Sequence, residues 1–206
     1  MPVATHASRR HARAQAPENK RELILRAAIK LFARRGFFNA QVADVAREAG
    51  IAAGTVYLYF KGKDDLLTSI FERTMREGME EGRKVLTDVT DPVEQLRLLA
   101  RLHLARLGED RDLAVVFQVE LRQSIKFMEH FSSTLLQDYL KTMRNAIAEA
   151  QRGGRFRQEV SATFAAKALF GALDEMATNW ILSRKRYALA GQADEVVDLF
   201  VRGMTQ

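Results

Sequence analysis

The stretch from Gln41 to Lys63 (QVADVAREAGIAAGTVYLYFKGK) allows very few folds. Val42, Val45, Ala46 and Ala49 recur at i, i+3, i+4 and i+7, which is one face of a helix. Gly50 follows, a residue that accepts the positive φ a tight turn needs at a helix C-terminus. Ile51 restarts the apolar pattern, and Val56 and Phe60 continue it four residues apart. The second helix leaves Thr55, Tyr59, Lys61 and Lys63 for solvent, hydroxyls and ammonium groups that phosphate oxygens accept. Two short helices about a glycine turn, the second rich in donors, predict a helix-turn-helix that reads DNA.

Three pieces of the chain carry a family resemblance: Ile24 to Phe37 (ILRAAIKLFARRGF), Val45 to Ile51 (VAREAGI) and Gly54 to Lys63 (GTVYLYFKGK). Together, at this spacing, they resemble the N-terminal domain of the TetR family of bacterial transcriptional repressors. The resemblance implies an all-α chain of about nine helices that works as a homodimer on a palindromic operator. It also implies a C-terminal helical domain that senses a small molecule. Position by position, it places Gln41 and Val42 at the N-terminus of helix 2, where free N–H groups and the helix dipole favour a phosphate. Thr55 and Tyr59 are expected to reach backbone or base edges, Lys61 lies in the basic cluster beside them, and Lys63 clamps another phosphate. Tyr57 either packs on helix 1 or faces DNA. Ala52, Ala53 and Gly54 lead into the recognition helix with almost no side chain, where many relatives carry a longer polar residue. Base readout is therefore expected to be sparse, with thymine-methyl contacts and DNA shape carrying more.

Downstream, Asp112 to Ser124 (DLAVVFQVELRQS) and Phe170 to Trp180 (FGALDEMATNW) resemble the FadR-type regulators of fatty-acid degradation within that family. That resemblance implies release from DNA by long-chain acyl-CoA. Charge agrees with a division of labour. Residues 1–63 hold 12 Lys and Arg against 4 Asp and Glu, and the rest holds 20 against 22. The basic excess sits where a phosphate-binding surface would need it.

The expected organisation is a disordered basic arm over 1–17, a helix-turn-helix domain over 18–63 and a sensing and dimerisation domain over 64–206. Arg9, Arg10 and Arg13 of the arm are either solvated or touch phosphates. Helix 1 is expected from about Asn19, which would cap it with Glu22 in a capping box, to Arg35, where Gly36 ends it. Phe37 and Phe38 are expected to pack beneath the helix-turn-helix. Asp64 and Asp65 suit the start of helix 4, and Gly78 and Gly82 within it suggest close helix packing. Asp91-Pro92 opens a helix to about Leu107, Asp112 one to about Ser124, and Phe127 a long one to Arg152, stopped by Gly153-Gly154. Ser161 is expected to cap a helix to about Arg184, with a last one from Ala193 to Arg202. These two carry Phe164, Leu173, Trp180, Val197 and Phe200, which are expected to pair across the dimer as a four-helix bundle.

The sensor region holds more large apolar side chains than amphipathic helices need. Leu104, Phe117, Leu121, Phe127, Met128, Phe131 and Phe170 are either core or the lining of an apolar ligand chamber. Gln118, Arg122 and Asp174 are polar insertions that form either a structural pair or the contact to the ligand's polar group. Arg97 and Arg101 either belong to a solvated face or take coenzyme A phosphates.

His103 and His130 have no partner at metal-ligand spacing, so no metal and no cofactor is expected. The chain shows no P-loop, dinucleotide fingerprint or cysteine nucleophile, and an enzyme is not expected. It has no cysteine, which fits a bacterial cytoplasm, and a nucleoid location follows from DNA binding. No apolar run reaches membrane length. The expected partners are double-stranded DNA, a second copy and a small hydrophobic effector. An amphipathic drug as effector remains open, as does an architectural DNA-binding protein without a sensor.

Overall fold

A computed structural model describes the backbone of residues 7–123, 129, 135–185 and 187–205, with side chains from Lys20 onward. Phe127, Met128, His130 and Phe131 lie outside the described residues, as do the side chains of Arg9, Arg10, Arg13 and Asn19. Among the described residues there are nine α-helices and two short 3-10 turns, with no strand. The chain divides into two compact units, Met1–Ile70 and Phe71–Gln206. The boundary thus falls seven residues beyond the expected one, inside helix 4.

The first unit holds α1 (Ala7–Arg35), α2 (Val42–Glu48), α3 (Ala53–Tyr57) and the start of α4 (Lys63–Val85). Helical backbone begins twelve residues before the expected start, in a stretch rich in alanine, the strongest helix former. The helix runs through Asn19 rather than starting there, and Glu22 accepts from Arg26 Nε at 2.9 Å. Ile24, Ala27, Ala28, Leu31 and Phe32 are buried, as the apolar stripe predicts. They pack with Val45, Ala46, Val56, Phe60 and Leu66 in the core of this unit. Gly50 has φ +67°, the left-handed conformation the turn between α2 and α3 needs. Phe37 is buried edge-on against Phe32, with ring centroids 5.4 Å apart, whereas Phe38 is 59% exposed. The Phe38 ring lies edge-on over Phe37, centroids 5.4 Å apart, and stays on the solvent side of it.

The second unit holds the rest of α4, α5 (Pro92–Glu109), α6 (Arg111–Gln118), α7 (Leu135–Arg152), α8 (Ala162–Leu182) and α9 (Gln192–Met204). Asp91 caps α5 as expected, accepting from the Val93 and Glu94 N–H groups with Pro92 in the first turn. Arg155 also bonds the Asp91 carboxylate and holds its pKa below the ordinary value. Asp110 rather than Asp112 opens α6, because its side chain accepts from Leu113 N at 3.0 Å. That helix ends at Gln118, short of Ser124, and a 3-10 turn over Glu120–Gln123 follows. Ser161 sits at the α8 N-cap without a side-chain cap bond.

Three residues assigned to the dimer interface are used inside the chain. Leu173 and Val197 are fully buried in the core, and Trp180 is nearly so. Trp180 Nε1 donates to Tyr187 O at 3.0 Å, and the Arg111 guanidinium lies 5.0 Å from its ring. Phe200 packs edge-on against Phe156. Helical periodicity marks an apolar face but not whether its partner is internal. The large apolar side chains left exposed on α8 and α9 are Phe164, Leu182 and Leu199.

Candidate functional site

In the first unit, Gln41, Ala52, Ala53, Tyr57 and Lys61 are exposed, and Val42, Thr55 and Tyr59 are half-buried. Tyr57 is 58% exposed, so it is not packed against α1. Leu58, missed in the sequence, is 81% exposed, and its only sequence signal was its place between two tyrosines. Neither Gln41 nor Ala52 makes a side-chain cap bond, so no side chain caps α2 or α3. Arg34 pairs with Glu48 at 2.9 Å, tying α1 to α2, and Asp44 holds Arg47 at 2.8 Å.

Lys63 departs from its expected part. Its ammonium donates to the carbonyls of Phe37 and Phe38, each at 3.0 Å, and of Ala40 at 3.3 Å. It also stands 4.7 Å from the Phe37 ring centroid. An ammonium has three donors, and all three are used. Lys63 therefore fastens the first residue of α4 to the loop after α1. Replacing it with Met should cost about 1–2 kcal/mol of stability in this unit. The salt dependence of the remaining DNA binding should stay unchanged, whereas Lys61→Ala should lower the salt slope by about one unit. Affinity measured against salt for both variants checks this.

The second unit contains a cavity between α4, α5, α6, α7 and α8. Helix α4 contributes Thr74, Met75, Gly78 and Met79, and α5 contributes Leu99, Leu102, His103, Arg106 and Leu107. Phe117 and Gln118 of α6, Arg122 of the 3-10 turn, Leu136 and Tyr139 of α7, and Phe170 and Asp174 of α8 complete the wall. Its free volume is about 80 Å³, well below the roughly 300 Å³ at which small-molecule pockets begin. A Cβ on Gly78 would meet Arg106 Nε at 3.4 Å, and one on Gly82 would meet Leu99 and Leu102. These are ordinary contacts with side chains of α5, so neither position requires a glycine for the two helices to meet.

The polar part of the wall forms two groups. Asp174 accepts from Gln118 Nε2 at 3.0 Å and pairs with the Arg122 guanidinium, while Thr178 Oγ1 donates to Gln118 Oε1 at 3.1 Å. Arg106 pairs with Glu81 at 2.7 Å and Glu77 at 3.3 Å, tying α5 to α4.

Of the expected ligand contacts, Phe117, Gln118, Arg122, Phe170 and Asp174 line the cavity. Leu104 and Leu121 are buried in packing away from it. Arg101 does not line it either: its guanidinium makes two hydrogen bonds to Asp194, at 2.8 and 3.0 Å, and Arg97 reaches Asp194 and Asp198. The acids of α9 lie more than ninety residues away in the sequence, so spacing could not reveal that pairing. Sequence reasoning also missed Arg106 and Tyr139, and it weighed His103 only as a metal ligand. Among the described residues no cluster of acidic or histidine side chains could hold a metal, and no helix is long and apolar enough to cross a membrane.

A helix-turn-helix head with an exposed donor-bearing face, followed by a helical unit enclosing an apolar cavity, defines a DNA-binding transcriptional regulator. Residues 24–70 match the model of the bacterial regulatory proteins of the tetR family. Residues 71–203 match that of the YsiA-like protein C-terminal region. The chain belongs to the TetR family. The fatty acid metabolism regulator protein of Bacillus subtilis (strain 168) is 32% identical over 181 residues, covering 88% of this chain and 93% of that protein. Among solved structures, the fatty acid degradation regulator FadR from Bacillus halodurans aligns with TM-score 0.83 at 35% identity, covering 89% of this chain and 95% of that one. FadR from Bacillus subtilis in complex with stearoyl-CoA gives TM-score 0.83 at 31% identity, covering 89% and 98%. These relatives are transcriptional regulators.

Proposed function

We propose that this regulator represses fatty-acid degradation genes as a homodimer on a palindromic operator and is released by long-chain acyl-CoA. The observation that carries this reading is the cavity, whose wall is mainly apolar with two arginines, Arg106 and Arg122, among its polar groups. An acyl chain suits the apolar wall. The likeness to a regulator solved with stearoyl-CoA supports the same effector class. Gln41, Val42, Thr55, Tyr57, Tyr59 and Lys61 make the DNA contacts, with phosphates predominating over bases. The exposed Phe164, Leu182 and Leu199 belong to the dimer contact. A location in the bacterial cytoplasm follows from this role.

Release follows from the small volume of the cavity. A long acyl chain fits only after the wall opens, and Thr74, Met75, Gly78 and Met79 of that wall belong to α4. The same helix begins at Lys63, which is fastened to the loop after α1. An effector that binds the opened state better shifts the population away from the DNA-binding one.

The test is a titration of the protein, bound to its own upstream intergenic DNA, with palmitoyl-CoA. Micromolar palmitoyl-CoA should dissolve the complex while free coenzyme A leaves it intact. A complex that persists with palmitoyl-CoA but yields to an amphipathic drug would move the effector to another class.

A further inference from the structure

In the cavity wall, two buried polar atoms have no hydrogen-bond partner among the described residues: His103 Nε2 and the Tyr139 hydroxyl. Both side chains line the cavity, yet both atoms are closed to solvent. Their rings stack with centroids 5.7 Å apart, and Phe170 stands edge-on to each, at 5.8 and 6.0 Å. An aromatic triad built from α5, α7 and α8 therefore holds two unsatisfied groups in one apolar pocket. Leaving buried polar groups without partners costs stability, and valine, leucine or phenylalanine would fill the same space without that cost. Polar atoms kept here are explained by a partner that arrives with the ligand.

We propose that His103 Nε2 and the Tyr139 hydroxyl form a recognition point for an uncharged oxygen on the effector, a carbonyl or a hydroxyl. This rests on the acyl-CoA reading and narrows it: the site tells an oxygen-bearing chain from a bare hydrocarbon. The uncharged character follows from the surroundings. The charged groups lining the cavity are already committed: Arg122 to Asp174, and Arg106 to Glu77 and Glu81. Burial also keeps the imidazole neutral by pushing its pKa down to about 4, against a smaller opposite pull from Asp174. A neutral imidazole and a phenol can each donate or accept one hydrogen bond. The thioester carbonyl and a hydroxyl on the chain share this chemistry.

The experiment compares three coenzyme A ligands of equal chain length: the acyl thioester, the S-alkyl thioether that lacks the carbonyl, and the 3-hydroxyacyl thioester. Each is titrated against the full chain and against Tyr139→Phe, which deletes one oxygen, and His103→Leu. The wild type should bind at least one oxygen-bearing ligand roughly five- to tenfold more tightly than the ligand lacking that oxygen. Tyr139→Phe should reduce that ratio toward one while changing thioether affinity little. A thioester preference over the thioether assigns the carbonyl as source, and a 3-hydroxyacyl preference over the plain thioester assigns the chain hydroxyl. Equal affinities in the wild type, or a ratio unchanged in both variants, would overturn the proposal and leave the effector class standing. No binding of any of the three would overturn both.

Discussion

Phe32→Ala should abolish operator binding while leaving the second unit folded. Phe32 is fully buried at the centre of the first unit, in edge contact with Phe37. Removing a buried phenylalanine costs about 3–5 kcal/mol, from lost transfer energy and the cavity left behind. A unit of this size is held by only about 4–10 kcal/mol in total, so the loss removes a large share of its stability. The chain has one tryptophan, Trp180, buried in the core of the second unit, so its fluorescence reports on that unit. The expected result is no retardation of operator DNA, with Trp180 emission and acyl-CoA binding unchanged. Operator binding within tenfold of wild type would refute this account of the first unit.

The second large effect is a loss of stability in mild acid. His103 is held neutral by burial, with its pKa near 4 in the folded chain against 6.5 for a free histidine. The unfolded chain therefore takes up the proton first. Stability is fully present above pH 6.5 and falls as the pH drops toward 4, by about 3 kcal/mol in all. Asp91 and Asp194 have pKa values lowered by their arginine partners, so their contributions are lost only at lower pH. Of these three groups, His103 is the one whose change falls between pH 4 and 6.5. Urea unfolding followed through Trp180 at pH 7 and pH 4.5 should show the drop, and His103→Leu should remove most of it. An equal drop in that variant would place the acid-sensitive group elsewhere.

The helix-turn-helix was legible because it is local. Val42, Val45, Gly50, Val56 and Phe60 lie within twenty residues, and helical period, turn and core follow from their spacing alone. Lys63 shows where such reading stops. Its neighbours in sequence suggested a phosphate clamp, but its partners are carbonyls more than twenty residues away. The same limit explains Arg101, whose partner Asp194 comes from α9, and Leu173 and Val197, whose apolar faces found partners inside the chain. Gln118, Arg122 and Asp174 were recoverable because a polar residue on an apolar helix needs a partner wherever it lies. His103 and Tyr139 gave no such signal, since each is ordinary on an amphipathic helix until the third dimension leaves its polar atom unsatisfied.

If the cavity takes the proposed effector, its narrowness also sets a detection threshold. If the opened state makes up one molecule in a hundred, the apparent affinity for effector is a hundredfold weaker than the intrinsic one. Traces of the ligand then go unnoticed, and only a sustained rise in its concentration flips the gene. On the proposed mechanism the tie of Arg106 to Glu77 and Glu81 would be one of the interactions that tune that threshold. Sequence drift at these three positions would reset the dose at which the regulator answers, with neither the operator nor the chemistry of the effector changed.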